Sequence, residues 1–167
     1  VDLPGHPEIP ATLKFVVDTQ RSTTIGIGKV VVHTIEHVMA ALRSFYIDNL
    51  YVEVSSFEPP IGDGSSAYFV QMIESVGTVE QEGEIPTHKL THPVYWSEGD
   101  IHNVALPSDE YKISYTLNYP GCSVLEAQFY SFTFSTENFV QQIAPCRTFS
   151  RYEEVSFLMD RGLIKGG

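Results

Sequence analysis

The stretch VVVHTIEHVMAALRSF, residues 30–45, changes physical character in its middle. Val30, Val31 and Val32 are β-branched, a shape that crowds a helix but packs well on a pleated surface, so they predict a strand ending at His33. From Ile35 onward the apolar residues Ile35, Val38, Met39 and Leu42 recur at helical spacing. That period predicts a helix over 35–44 with one face buried. Thr34 stands between the two patterns and is the expected N-cap. A strand running into a helix is the seam of a mixed α+β fold, and it sets Glu36 and His37 in the first helical turn, where a cleft can use them.

Working outward, LKFVV (13–17) and KVVVH (29–33) read as strands, with RSTTIGIG (21–28) as the turn or loop between them. IDNLYVEV (47–54) alternates Leu50, Val52 and Val54 with Tyr51 and Glu53, the period of a half-buried strand. EPPIGDGSS (58–66) is a loop by its Pro and Gly content, and Asp63 or Ser65 is placed to cap a helix carrying Phe69, Val70 and Ile73. The polar run EQEGEIPTHKLTHP (80–93) marks a boundary, so the chain divides into a first unit, 1–84, and a second, 85–167. In the second unit PVYWSEGDIHNVAL (93–106), YKISYTLNY (111–119) and AQFYSFTFS (127–135) suggest a meander. Ser135 or Thr136 then opens a short helix with Phe139, Val140 and Ile143. SRYE (150–153) is a capping box opening another that ends near Arg161 and Gly162.

Composition excludes several classes. With 43% hydrophobic and 12% aromatic residues in 167, the chain can build a packed core. Ten basic against twenty-one acidic side chains give a net charge of −11, which repels phosphate backbones and excludes nucleic acid as a partner. Cys122 and Cys146 are far apart and form no C-x-x-C pair, so they read as free thiols of a reducing cytoplasm. No apolar run reaches the roughly 18 residues of a membrane span, and VDLPGHPEIP lacks a signal-peptide pattern.

Glu36 and His37 admit several readings. His33 to His37 spell H-x-x-E-H, which in one class of zinc peptidases supplies two ligands and a base from one helix. That needs both imidazoles one helical turn apart, whereas His33 is expected to end the strand. Glu36 beside His37 also suits a solvated helix start, where negative charge meets the positive end of the helix dipole. A glutamate beside a metal-bound water is equally a natural general base.

TIEHVMAAL, IDNLYVEV and EPPIGDGSSAYFV are similar to the T-V-E-H-L-x-A-A-L, I-D-N and P-E-I-P-I-x-D-G-S-A-x-P-F signatures of the UDP-3-O-acyl-N-acetylglucosamine deacetylase family. APCRTFSRYEEVSFLMDRGLIKGG resembles its A-R-T-F…L-x-x-R-G-L-x-x-G-G segment, and DLPGHPEIPA…VVDTQRST its D-L-x-x-x-x-x-I-P-A…V-x-D-T entry. Several motifs in the family's order, over nearly the whole chain, carry this resemblance. It implies two α+β units of like topology, each a mainly antiparallel sheet layered with helices, and an active site between them. The implied activity is zinc-dependent hydrolysis of the N-acetyl amide of a UDP-linked acylated glucosamine, the step that commits bacteria to lipid A. A cytoplasmic location with peripheral contact at the inner membrane goes with it.

Residue by residue, the resemblance implies Glu36 as general base, His37 as a Zn2+ ligand and Thr148 near the oxyanion. Phe149 and Ser22 fall at the substrate site, although Gln20 and Arg21 differ from the family's apolar residues there. For Phe149 taken alone core packing is the ordinary fate, and Asp63 reads mainly as a cap that fixes its loop. The family draws two further zinc ligands from an H-K-x-x-D-type segment after its G-G pair, and its general acid from a later histidine. H-x-x-x-D spacing occurs nowhere here, so the chain reads as an internal fragment, a split subunit or a partial chain of that enzyme. The rival reading is a non-catalytic fragment or binding module without a complete metal site. His88 and His92 form H-x-x-x-H, but beside Pro93 and an expected strand their side chains do not converge.

Overall fold

A computed structural model describes residues 3–122, 125–152, 155, 156 and 159. The fold is α+β, built of small antiparallel sheets and a few helices. The chain divides into two compact units, Val1–Thr78 with Phe139–Gly167, and Val79–Asn138.

In the first unit a 3-10 turn, Leu13–Phe15, leads into β1 (Val16–Asp18), β2 (Thr24–Ile27) and β3 (Val30–Val32), which form one antiparallel sheet in the order β1-β2-β3. The central strand therefore lies inside the stretch expected as a loop. Gly26 explains the difference. A Cβ on it would stand 2.9 Å from Val31 Cγ1, 3.0 Å from the Val30 carbonyl and 3.3 Å from Val17 Cγ2. The residue is glycine because its neighbours press on the backbone, and its partner in the ladder is Val31. The true turn is at Gly28, whose φ of +61° suits a residue without a Cβ.

Helix α1 runs Glu36–Ser44, close to the predicted 35–44, and buries Ala41 and Ser44. Thr34 is not its cap. Ile35 occupies that position without a side-chain cap bond, while Thr34 is left-handed at φ +56° and donates its hydroxyl to Glu58 Oε2 at 3.2 Å. The chain direction is fixed instead by backbone bonds, His33 N–H to the Phe57 carbonyl at 2.7 Å and Ile35 N–H to the Thr23 carbonyl at 3.3 Å. His33, expected as the last residue of the strand, lies just past β3, where its N–H is taken by the Phe57 carbonyl.

Residues 47–54 form no strand, and Leu50 and Val52 are exposed. Alternation says which face of a segment is apolar, but a strand also needs a neighbour's N–H and C=O groups. Among the described residues no strand forms a ladder with this segment.

The loop after it does the joining. Gly62 and Gly64 have φ of +58° and +83°, and Gly64 N–H closes a turn on the Ile61 carbonyl at 3.0 Å. Asp63 Oδ1 accepts the Ser65 hydroxyl at 2.6 Å and the Ser65 N–H at 3.1 Å, and Ser65 Oγ in turn accepts the Ala67 N–H at 3.2 Å. The N-cap of α2 (Ala67–Val76) is Ser66, which makes no side-chain cap bond; Ser65, held by Asp63, serves the first helical N–H in its place. Phe69 and Ile73 are half-buried and Val70 buried, the predicted inner face, and α2 packs on α1.

The segment Ala144–Thr148 docks on this loop from far along the chain. Ser66 N–H donates to the Ala144 carbonyl at 3.1 Å, Thr148 N–H to the Gly64 carbonyl at 2.8 Å, and Arg147 Nε to the Asp63 carbonyl at 2.8 Å. These bonds put residues 139 onward in the first unit, whereas a single cut at 84/85 assigns them to the second. The approach to the dock is α3 (Thr136–Asn138), opened by Ser135 Oγ accepting the Asn138 N–H at 3.0 Å, and one π-helical turn, Phe139–Ile143. Phe139 and Ala144 are buried there. Of the helix expected from SRYE, Tyr152, Val155, Ser156 and Met159 are helical; Glu153 and the expected end at Arg161 and Gly162 lie outside the described residues.

The second unit holds two hairpins, β4 (Val94–Glu98) with β5 (Ile101–Ala105), and β6 (Lys112–Leu117) with β7 (Gln128–Thr133). β5 and β6 are not ladder neighbours, so the expected meander is two separate pairs. Ile113 faces Phe132 and Tyr115 faces Tyr130, and Tyr111 meets Phe134 with ring centroids 5.3 Å apart. Ser114 and Ser131 bond on the opposite face at 2.7 Å.

Two outcomes follow from the loop. Gly64→Ala meets both the left-handed φ and Thr148 Cγ2, 3.3 Å from the added Cβ, whereas Gly28→Ala meets only the φ. Denaturant unfolding should show a loss of about 2–3 kcal/mol for Gly64→Ala and about 1 kcal/mol for Gly28→Ala. Equal losses would mean that the Thr148 contact carries no weight. The Asp63 carboxyl is held below its ordinary range, first by the Ser65 hydroxyl and then by the Ser65 N–H and nearby Arg147. A depressed carboxyl pKa stabilises the fold above the unfolded value, about 3.9, and that share is lost as pH falls through the folded pKa. NMR titration should place the Asp63 midpoint below that value, and Ser65→Ala should move it upward.

Candidate active site

The start of α1 is clamped by Thr23, the residue just before β2. Thr23 donates its N–H to Glu36 Oε2 at 2.9 Å and accepts the Ile35 N–H on its carbonyl at 3.3 Å. Helical side chains slant back toward the N-terminus, so a carboxylate on the first helical residue reaches past the helix start, here to the residue that leads into β2. Glu36 and His37 are both half-buried. Ser22 is half-buried too, and directly precedes the Thr23 N–H that holds Glu36. Arg21 beside it turns the chain with φ +62°.

Three buried residues, Gly64, Ser65 and Ser66, connect α1 to the distant segment. Ser66 donates its hydroxyl to the His37 carbonyl at 3.1 Å, and two residues earlier the Gly64 carbonyl holds the Thr148 N–H. Two trans peptide steps span at most about 7.6 Å between Cα atoms, so the first turn of α1 and Thr148 belong to one locale. Phe149 follows Thr148 and is 52% exposed. All five residues singled out from the sequence, Ser22, Glu36, His37, Thr148 and Phe149, lie in the first unit. Thr23, Gly64 and Ser66 were not singled out. Their contribution is made by backbone groups and a short hydroxyl, which leave no chemical signature in a sequence; the D-G-S-S string was the one available sign.

Three other histidines are engaged elsewhere. His33 is outside α1, and its Nδ1 shares a 2.9 Å hydrogen bond with the buried Thr24 hydroxyl. The H-x-x-E-H peptidase reading, which needs both histidines on one helix, falls with that. His92 Nδ1 lies 2.8 Å from Thr91 Oγ1, and His102 Nδ1 3.2 Å from the Tyr95 hydroxyl, both in the second unit. Among the described residues no three His, Cys, Asp or Glu side chains gather as a metal site. These residues therefore do not by themselves fit a zinc ion, which needs three protein donors and an open position.

Also among the described residues, no helix is long and apolar enough to cross a membrane. The family model for UDP-3-O-acyl N-acetylglycosamine deacetylase (LpxC) matches residues 1–167. The UDP-3-O-acyl-N-acetylglucosamine deacetylase of Chlamydia pneumoniae is 51% identical over 163 residues, which cover 98% of this chain and 58% of that protein. Its namesake from Chlamydia caviae is 51% identical over 166 residues, 99% of this chain and 59% of the relative. That from Chlamydia trachomatis serovar D is 47% identical over 159 residues, 95% and 56% respectively. The chain thus spans less than three fifths of the length of these curated relatives. A match along its entire length, with about half the residues identical, means that the chain belongs to the UDP-3-O-acyl N-acetylglycosamine deacetylase family.

Proposed function

We propose that this chain supplies part of the active site of a zinc-dependent amidohydrolase that removes acetate from the N-acetyl group of a UDP-linked acylated glucosamine. The observation that carries the reading is the clamped Glu36 carboxylate, with His37 beside it and Thr148 tied to the same helix start through Gly64–Ser66. Zinc is the cofactor the family implies, and His37 is the one residue assigned to it. Its other donors have to come from outside the described residues, because none of these joins His37 in a site.

The roles left to this chain's own side chains are those of acid–base and polar groups. One oxygen of Glu36 is fixed by the Thr23 N–H, which aims the carboxylate without occupying both oxygens. Glu36 takes a proton from the attacking water, whose oxygen bonds to the acetyl carbon, and that proton ends on the departing amine. The Thr148 hydroxyl donates to the oxyanion of the tetrahedral intermediate, where charge develops. Ser22 and Phe149 line the substrate site. Cytoplasmic location and peripheral contact with the inner membrane accord with an acylated, nucleotide-linked substrate. A second reading, a fold-bearing piece without competent metal, is favoured by the lack of a three-donor cluster among the described residues.

Metal and turnover separate the two. The 167-residue chain alone should hold well under one zinc and show no deacetylation, and a form extended by the family's H-K-x-x-D segment and later histidine should do both. About one zinc per 167-residue chain would contradict the ligand assignment. In the extended form Glu36→Gln should lower kcat about 10²–10⁴-fold with zinc content unchanged, because a base is lost and a ligand is not. Thr148→Val should lower kcat about 10²-fold with KM nearly constant. Full turnover by Glu36→Gln would overturn the reading.

A further inference from the structure

Four non-glycine residues among those described have left-handed backbones: His6, Arg21, Thr34 and Tyr46. Thr34 is the β-branched one, the kind of side chain that this conformation tolerates least. It lies two residues before Glu36, where β3 ends and the chain must turn into α1. Glycine takes such a turn without steric cost, so a threonine there has to be held in place. The holding contacts come from one neighbouring segment: Thr34 Oγ1 donates to Glu58 Oε2 at 3.2 Å, and His33 N–H donates to the Phe57 carbonyl at 2.7 Å. On the far side of the turn, Thr23 receives Ile35 N–H and holds Glu36 Oε2.

We propose that Thr34 is a positioning residue: its left-handed turn, locked by Glu58, aims the Glu36 carboxylate at the reacting water. The inference rests on the reading of Glu36 as general base. Rotating Thr34 to a right-handed φ swings the Ile35 N–H away from the Thr23 carbonyl, and the first turn of α1 moves with it. A glycine at 34 permits that rotation; the threonine with Glu58 opposes it. The device thus acts on the aim of a side chain two residues away and touches no substrate.

A positioning role and a merely structural one move different readouts. In the full-length protein, with a UDP-linked acylated N-acetylglucosamine as substrate, Thr34→Gly should lower kcat about 10–100-fold with KM within about twofold, since a misaimed base is felt in the transition state. Its thermal midpoint should stay within about 3 °C of the parent, because relief of strain and the added freedom of the unfolded chain oppose each other. Thr34→Ser, which keeps the hydroxyl, should recover kcat to within about threefold of the parent. Glu58→Ala offers a route that leaves residue 34 intact, and should also lower kcat about 10-fold. Unchanged kcat in both Thr34→Gly and Glu58→Ala would overturn the proposal, as would parallel loss of kcat and thermal stability in Thr34→Gly and Thr34→Ser alike. Glu36→Gln serves as the reference. If it is inactive while Thr34→Gly and Glu58→Ala are not, the proposal alone falls; if it is fully active, the base assignment falls and takes the proposal with it.

Discussion

Gly64 answers two demands that no other residue type meets together. Its backbone is left-handed, and an added Cβ would stand 3.3 Å from Thr148 Cγ2, close enough that the neighbour must give way by a few tenths of an ångström. A residue with a side chain would strain the turn and press on the C-terminal segment. Everything that gathers around α1 depends on that close approach. Through Gly64 the backbone of residue 148 is joined to a loop that is itself fixed by Asp63 and Ser65, capped onto α2 and bonded to the first turn of α1 by Ser66.

The arrangement divides labour between elements with and without chemistry. Glu36, His37 and Thr148, to which the proposed reading gives the chemistry, are each held by a neighbour to which it gives none: Thr23 by its N–H, Ser66 by its hydroxyl on a carbonyl, Gly64 by its carbonyl. Such bonds cost little entropy because the backbone they use adjoins β2 and α2 and is already ordered by them. A site built in this way is stiff where the helix begins. The π-helical turn Phe139–Ile143 adds to this, closing on Ala144 N–H at 2.8 Å and so delivering the Ala144 carbonyl to Ser66.

How much of this was legible in the sequence depended on the kind of force involved. The strand-to-helix switch at 30–45, α2, both hairpins and the short helix after Ser135 follow from side-chain shape and period, which a sequence displays directly. β2 was hidden because Gly26 reads as a turn residue, when it is in fact a packing requirement of Val17, Val30 and Val31. Residues 47–54 have the right period but no ladder partner among the described residues, a matter of neighbours that periodicity does not encode. Thr34 has the chemistry of a cap and the backbone of a turn, because His33 and Ile35 are tied to Phe57 and Thr23 before its hydroxyl can choose a partner. The assignment of residues 139 onward was missed for a similar reason: it is decided by backbone bonds to Gly64 and Ser66 across more than 70 residues of sequence. The proposed site residues rest on the family motif alone, since a lone Glu-His pair or a lone Phe is usually just surface or packing.

If Gly64–Ser66 couples the first turn of α1 to Thr148, a double-mutant cycle reveals the coupling. The cycle compares kcat/KM of the full-length protein with Ser66→Ala, Thr148→Val and both together. Coupled sites predict a non-additive result, with the double variant about 1 kcal/mol better than the sum of the singles, because once the strap is loosened the Thr148 hydroxyl has less to lose. Strict additivity, with each substitution lowering kcat/KM by the same factor whether or not the other is present, would contradict it.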